Sequence, residues 1–204
     1  MDLVRVEREL KKRWEYPYRW GRKQSDLWDY NTNFIYTTYS FKMLLKRTEA
    51  LSYELRNYAL NRWYNFWSAM AVEDIFTSHK NVIANKNSYD KLVDFTLNNI
   101  PFDHKTSIYP KGFHKPFDYA LQNPKELIYW LYTNQSQQGR KHLKNRLFII
   151  LYDSNQEHWK MKAEILRLKQ EIDIYVDNFT VENLQVMNFG EGTVQSDILW
   201  ISNP

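Results

Sequence analysis

The stretch DFTLNNIPFDHKTS (94–107) places Asp94, Asp103 and Lys105 close together in a segment that otherwise reads as strand. Two carboxylates and an ammonium at one point would hold a divalent cation and steady a water beside it. That is the chemistry of metal-assisted hydrolysis. Asn98-Asn99 suits a two-residue hairpin turn, because asparagine tolerates positive φ. The pairing that follows sets Leu97 against Ile100, Thr96 against Pro101, Phe95 against Phe102, and Asp94 against Asp103. Alternation along the strands then collects Val93, Phe95, Leu97, Ile100 and Phe102 on one face, and Asp94, Asp103 and Lys105 on the other. Carboxylates about 5 Å apart repel by roughly 3 kcal/mol at an effective dielectric of 20, which a bound Mg²⁺ would reverse. The competing account is a solvated polar face on which Lys105 simply neutralises Asp103.

Other elements must position this hairpin. Residues 2–14 predict a short charged helix. An aromatic, basic stretch follows, and then mostly helical sequence over 34–79, where Trp63, Phe66, Met70 and Phe76 recur at helical intervals. Short β-like segments occupy 81–85, 91–98 and 100–107. Pro124 suits the first turn of a helix over 124–138. RLFIILYD (146–153) has the continuous apolar texture of a strand buried on both faces. A further helix is expected over 158–179 and a closing edge strand within TVQSDILWIS (193–202). The order predicts an α/β fold, a mixed β-sheet flanked by helices with a helical N-terminal extension. It is expected as a single domain (1–204), divided into extension (1–54), core (55–155) and C-terminal helix and strand (156–204). With five glycines, six prolines and 43% hydrophobic residues, the chain has few candidate linkers and enough apolar sequence for a core. No apolar run reaches membrane-spanning length, and MDLVRVERELKKRW is too charged for a signal peptide. Without cysteine, thiolate metal sites and disulfides are excluded, and a cytoplasmic location is expected. A net charge of +4 allows a nucleic-acid partner without demanding one.

The hairpin carboxylates, the D-x-K tripeptide Asp103-His104-Lys105 and the order helix, three strands, helix, strand resemble the PD-(D/E)xK nuclease superfamily, the restriction-endonuclease-like fold. The likeness covers roughly residues 55–155. Val93 stands where the family often has proline, and Pro101 interrupts a strand. The resemblance implies a Mg²⁺-dependent endonuclease, with Mn²⁺ substituting, that hydrolyses phosphodiester bonds. Its expected setting is DNA restriction or phage defence. A ribonuclease toxin and a non-catalytic nucleic-acid-binding protein are the alternatives. It further implies Asp94 and Asp103 as metal ligands, Lys105 as the partner of the water, and the backbone carbonyl of His104 as a further ligand. Glu73 is the candidate helix acid, since it shares the stripe of Phe66 and Met70; Asp74 competes for that role. A homodimer is expected if both strands are cut.

Two basic stretches could grip phosphate. One contains Gln138, Arg140, Lys141 and Lys144, with Gln135 or Gln138 near the metal. The other is WEYPYRWGRK (14–23), with Arg19 and Arg22 among aromatics, which better suits a packed aromatic lid. The histidines show no metal-ligand spacing, and no phosphate loop, GxSxG or dinucleotide fingerprint occurs.

Overall fold

The computed structural model describes residues 1–19, 26–87, 92–134, 143–190 and 192–203. Helices α1 (Leu3–Lys11), α2 (Asp26–Asn31), α3 (Phe41–Thr48) and α4 (Tyr53–Thr77) come first, with 3₁₀ turns between some of them. Three strands follow: β1 (Val82–Ala84), β2 (Phe95–Leu97) and β3 (Ile100–Ile108). Helices α5 (Phe117–Gln122) and α6 (Pro124–Asn134) lead to β4 (Arg146–Asp153). The chain ends with a 3₁₀ helix over His158–Ala163, α7 (Ile165–Asp177), β5 (Gln185–Asn188) and β6 (Thr193–Asn203). The fold is α/β, with a six-stranded open mixed sheet in the order β1-β2-β3-β4-β6-β5. β1, β2 and β3 are antiparallel, β3, β4 and β6 are parallel, and β5 runs antiparallel to β6.

β4 is the central strand its sequence implies. Leu147, Ile149 and Leu151 enter the core beneath α1, α4 and α7, while Phe148 and Ile150 enter a second core beneath α5 and α6. Both faces are therefore covered, and alternation has nothing polar to place. Val6, Leu10, Ile35, Phe41 and Leu44 of the first 54 residues are buried in the same core as the sheet. The N-terminal helices thus form an outer layer of that core. Arg13 anchors them. It is fully buried and donates to the carbonyls of Tyr16 (2.6 Å) and Pro17 (3.0 Å) and to Asn61 Oδ1 (2.8 Å) of α4.

Two elements depart from the sequence expectation. β6 is not an edge strand: it lies between β4 and β5, and β5, four residues with Met187 buried and Val186 exposed, forms the edge. So short a strand carries too little alternation to announce itself. The segment 158–179 begins as a 3₁₀ helix and becomes α-helical only at Ile165.

Candidate functional site

The hairpin turn forms as its residues dictate. Asn98 (φ 47°) and Asn99 (φ 67°) both take left-handed backbone, as a type I′ turn requires. Leu97 pairs with Ile100, Thr96 with Pro101 and Phe95 with Phe102. In this register Thr96 and Pro101 form a non-hydrogen-bonded pair, so the Pro101 nitrogen faces the β4 side. Pairing with β4 begins only at Asp103, and the missing N–H is not needed. Phe95 and Phe102 are fully buried, with Phe95 stacked on Phe76 of α4 at 4.7 Å.

The expected convergence of Asp94 with Asp103 and Lys105 does not occur. The β2–β3 ladder ends at Phe95–Phe102, where Asp94 leaves the simple hairpin register. Asp103 N donates to Asn145 O (3.0 Å), just before β4, while Asp94 N still reaches Phe102 O (2.9 Å). The His104 N–H is left without a strand acceptor, and the Asp94 side chain supplies one. Asp94 Oδ2 accepts from His104 N (2.8 Å) and lies 2.8 Å from His104 Nδ1. An aspartate at a strand end is thereby explained: it replaces a backbone carbonyl the sheet no longer offers.

From Phe102 onward β3 alternates cleanly. Phe102 and His104 face the α4 side, where the His104 ring lies 6.4 Å from Phe76 and 6.1 Å from Phe95. Asp103 and Lys105 face the α6 side. There the Asp103 carboxylate is divided between Lys105 Nζ (2.7 Å) and Arg146 Nε (2.9 Å), and Arg146 lies over the Tyr132 ring at 5.1 Å. Asp103 is thus a buried carboxylate with both oxygens occupied, and Lys105 neutralises it as the competing account of the hairpin expected.

Asp94 does meet Glu73. A cavity of about 300 Å³ opens between α4 and the β2–β3 divergence, lined by Asn65, Ser68, Glu73, Asp94, His104, Lys105, Thr106 and Lys162 together with Phe66, Ala69 and Met70. Phe66, Met70 and Glu73 share the α4 stripe that periodicity suggested. Asp74, the competing acid, turns away and binds the Met1 ammonium (2.9 Å). Burial and then the Asp94 charge push the Glu73 carboxyl above its ordinary value, against the pull of His104. For Asp94, burial acts upward but is outweighed by the hydrogen bonds and charge of His104, with a smaller pull from Lys105. Its carboxyl is held below the usual value. The two acids are driven apart, the pattern that separates a proton carrier from a permanent anion. Thr106 Oγ1 is buried with no hydrogen-bond partner.

Mg²⁺ takes hard oxygens, commonly one or two carboxylates completed by water and phosphate. Glu73 and Asp94 fit that donor set. Asp103 does not fit while Lys105 and Arg146 hold both its oxygens. Among the described residues no group of three or more His, Asp and Glu side chains is arranged to hold a metal ion.

Of the phosphate-gripping candidates, Gln138, Arg140, Lys141 and Arg22 lie outside the described residues. Lys144 is exposed, and its carbonyl accepts from Tyr132 (2.6 Å). Arg19 is exposed, with its guanidinium 5.8 Å from the Tyr53 ring. Around it the aromatics pack: Tyr18 stacks on Trp159 (4.5 Å) and Tyr16 meets Phe41 edge-on (5.3 Å), as a lid would.

Asn65, Ser68, Thr106 and Lys162 were not among the sequence candidates. Asn65 carried a signal, being a polar residue four and eight positions before Ala69 and Glu73 on the inward stripe. Lys162 carried none, since it lies between buried Met161 and Ala163 in a 3₁₀ segment far along the chain. No helix among the described residues is long and apolar enough to cross a membrane. The chain was compared with protein-family models, curated proteins and solved structures, and none of them matches.

Proposed function

We propose that this chain is a divalent-metal-dependent nuclease, most simply a DNA endonuclease of restriction or phage-defence type, on a restriction-endonuclease-like core. The observation that carries the proposal is the cavity in which Glu73 and Asp94 meet where β2 and β3 part. The order α4, antiparallel β1-β2-β3, α6 and parallel β4 supports the core assignment. Mg²⁺, or Mn²⁺ in its place, would be held by Glu73 and Asp94 and would supply Lewis-acid stabilisation of charge on the phosphate. Asp94, kept anionic by His104, contributes a fixed negative charge. Glu73 can take a proton from water attacking phosphorus in line, as the bond from phosphorus to the leaving oxygen breaks and that oxygen gains a proton from solvent. Lys105, about half exposed at the rim, can neutralise charge on the phosphate once it lets go of Asp103. RNA is the alternative substrate. A cytoplasmic location and a homodimer that cuts both strands belong to the same proposal.

One observation favours a different reading, a non-catalytic nucleic-acid-binding protein: the D-x-K pair is self-neutralised, with Arg146 as a second cation. Incubating the chain with plasmid and with RNA in Mg²⁺, Mn²⁺ or EDTA separates the two. Cleavage with metal and none with EDTA is expected, and Asp94→Asn should abolish it. Nucleic-acid binding without cleavage in either metal would move the assignment to the second reading.

A further inference from the structure

The cavity contains a cation that the hairpin does not supply. Lys162 reaches it from the 3₁₀ helix after β4 and is fixed to α4 twice. Its Nζ donates to Asn65 Oδ1 (2.7 Å), and its carbonyl accepts from Ser68 Oγ (2.8 Å). Met161 and Ala163 are buried on either side, so the backbone at this point has little freedom. The ammonium carries three donors, and among the described residues Asn65 is its hydrogen-bond acceptor and no carboxylate lies within ion-pair distance. Lys105, which also lines the cavity, is by contrast paired with Asp103. Removal from water without a counter-ion is costly, and burial pulls the Lys162 pKa down to about 8, which still leaves it mostly charged at neutral pH. Thr106 lines the same cavity, its own hydroxyl enclosed and without a partner.

An ammonium without a counter-ion shares this cavity with two carboxylates. Such a wall is complementary to an anionic oxygen whose other side is held by a cation on those carboxylates. We infer that Lys162 binds a non-bridging oxygen of the scissile phosphate, with Asn65 setting the direction of its ammonium. This rests on the nuclease proposal for the substrate's identity, but the anion site itself can be tested separately. It makes Lys162, rather than the lysine of the D-x-K tripeptide, the phosphate contact built into the resting protein.

The test compares the wild-type chain with Lys162→Met and Lys162→Arg. The readouts are Mn²⁺ affinity and inorganic-phosphate affinity by calorimetry, cleavage of a DNA duplex, and the thermal unfolding midpoint. Lys162→Met should keep Mn²⁺ affinity and unfold at a higher temperature, since a charge held without a counter-ion is gone. It should lose about tenfold to a hundredfold in kcat/KM and a similar factor in phosphate affinity, the range for one hydrogen bond to a charged group. Lys162→Arg should recover part of both losses. Higher stability with lower activity is not what a merely structural lysine would give. Lys162→Met cleaving within about threefold of wild type, at unchanged phosphate affinity, overturns the inference. If the wild type neither binds Mn²⁺ nor cleaves, the nuclease proposal fails and phosphate calorimetry decides alone. Phosphate binding that Lys162→Met abolishes keeps the anion site, and wild-type protein that binds no phosphate removes it.

Discussion

The two faces of β3 carry the same kinds of residue in opposite states. Toward α6, Asp103 is enclosed with Arg146 and Lys105 and its charge is cancelled. Toward α4, Asp94, Glu73 and Lys162 border a cavity, no carboxylate–ammonium pair forms among them, and Thr106 has no partner. A charge that is paired and enclosed acts on the fold. Charges kept apart around open space are spent on stability for nothing unless something enters. The D-x-K tripeptide drew attention to the first face, and the cavity lies on the second.

The largest effect that could break this contrast lies at Asp103. With side chains only 9% and 12% exposed, Asp103 and Arg146 form a buried pair, and removing one partner strands the other. Arg146→Met should cost about 3–5 kcal/mol in denaturant unfolding. Asp103→Asn should cost nearly as much and leave Mn²⁺ affinity unchanged. A fall in Mn²⁺ affinity with stability intact would make Asp103 a ligand after all and erase the difference between the faces.

Asp94→Asn comes next. Asn offers one oxygen and no charge to the two His104 nitrogens, so a loss of about 2 kcal/mol is expected, together with cleavage. The pH dependence follows from the shift. Because the folded carboxyl sits below its ordinary value, its contribution is complete above about pH 4 and drains away as the pH falls through the lowered folded value. The urea midpoint of the wild type should therefore fall more steeply on acidification than that of Asp94→Asn.

Glu73 should behave in the opposite sense. Its raised carboxyl is a cost at neutral pH that is relieved as the pH drops through the raised value. Glu73→Gln should be neutral or stabilising by up to about 1 kcal/mol at pH 7, while cleavage falls about 10²–10⁴-fold, the range for a lost proton carrier. A destabilised Glu73→Gln with normal turnover would make this residue structural.

Lys105→Ala is expected to have the smallest effect on the fold, within about 1 kcal/mol, since the side chain is about half exposed and Arg146 remains with Asp103. Mn²⁺ binding should survive and cleavage should fall sharply, because the phosphate loses a neutralising charge. Turnover at the wild-type rate would leave Lys162 as the cavity's working cation.

What was legible in the sequence was local. The Asn98-Asn99 turn, the Phe95–Phe102 pair, the doubly buried β4 and the Glu73 stripe depend on φ preferences and on periods of 2 and 3.6, which neighbours along the chain suffice to define. Extending the hairpin one pair further, to Asp94 and Asp103, failed because Asp94 turns out of register there, its N–H on Phe102 O and its carboxylate on His104 N. The partners of Asp103 outside β3 come from Asn145 and Arg146, about forty residues downstream. The same holds for Lys162, brought to Glu73 and Asp94 from a third part of the chain. The sequence determined which residues could carry charge and which face each would take within its own element. Only the tertiary structure decided which charges meet, because electrostatic pairing depends on distance in space and on exclusion of water, and neither is a property of neighbours in sequence.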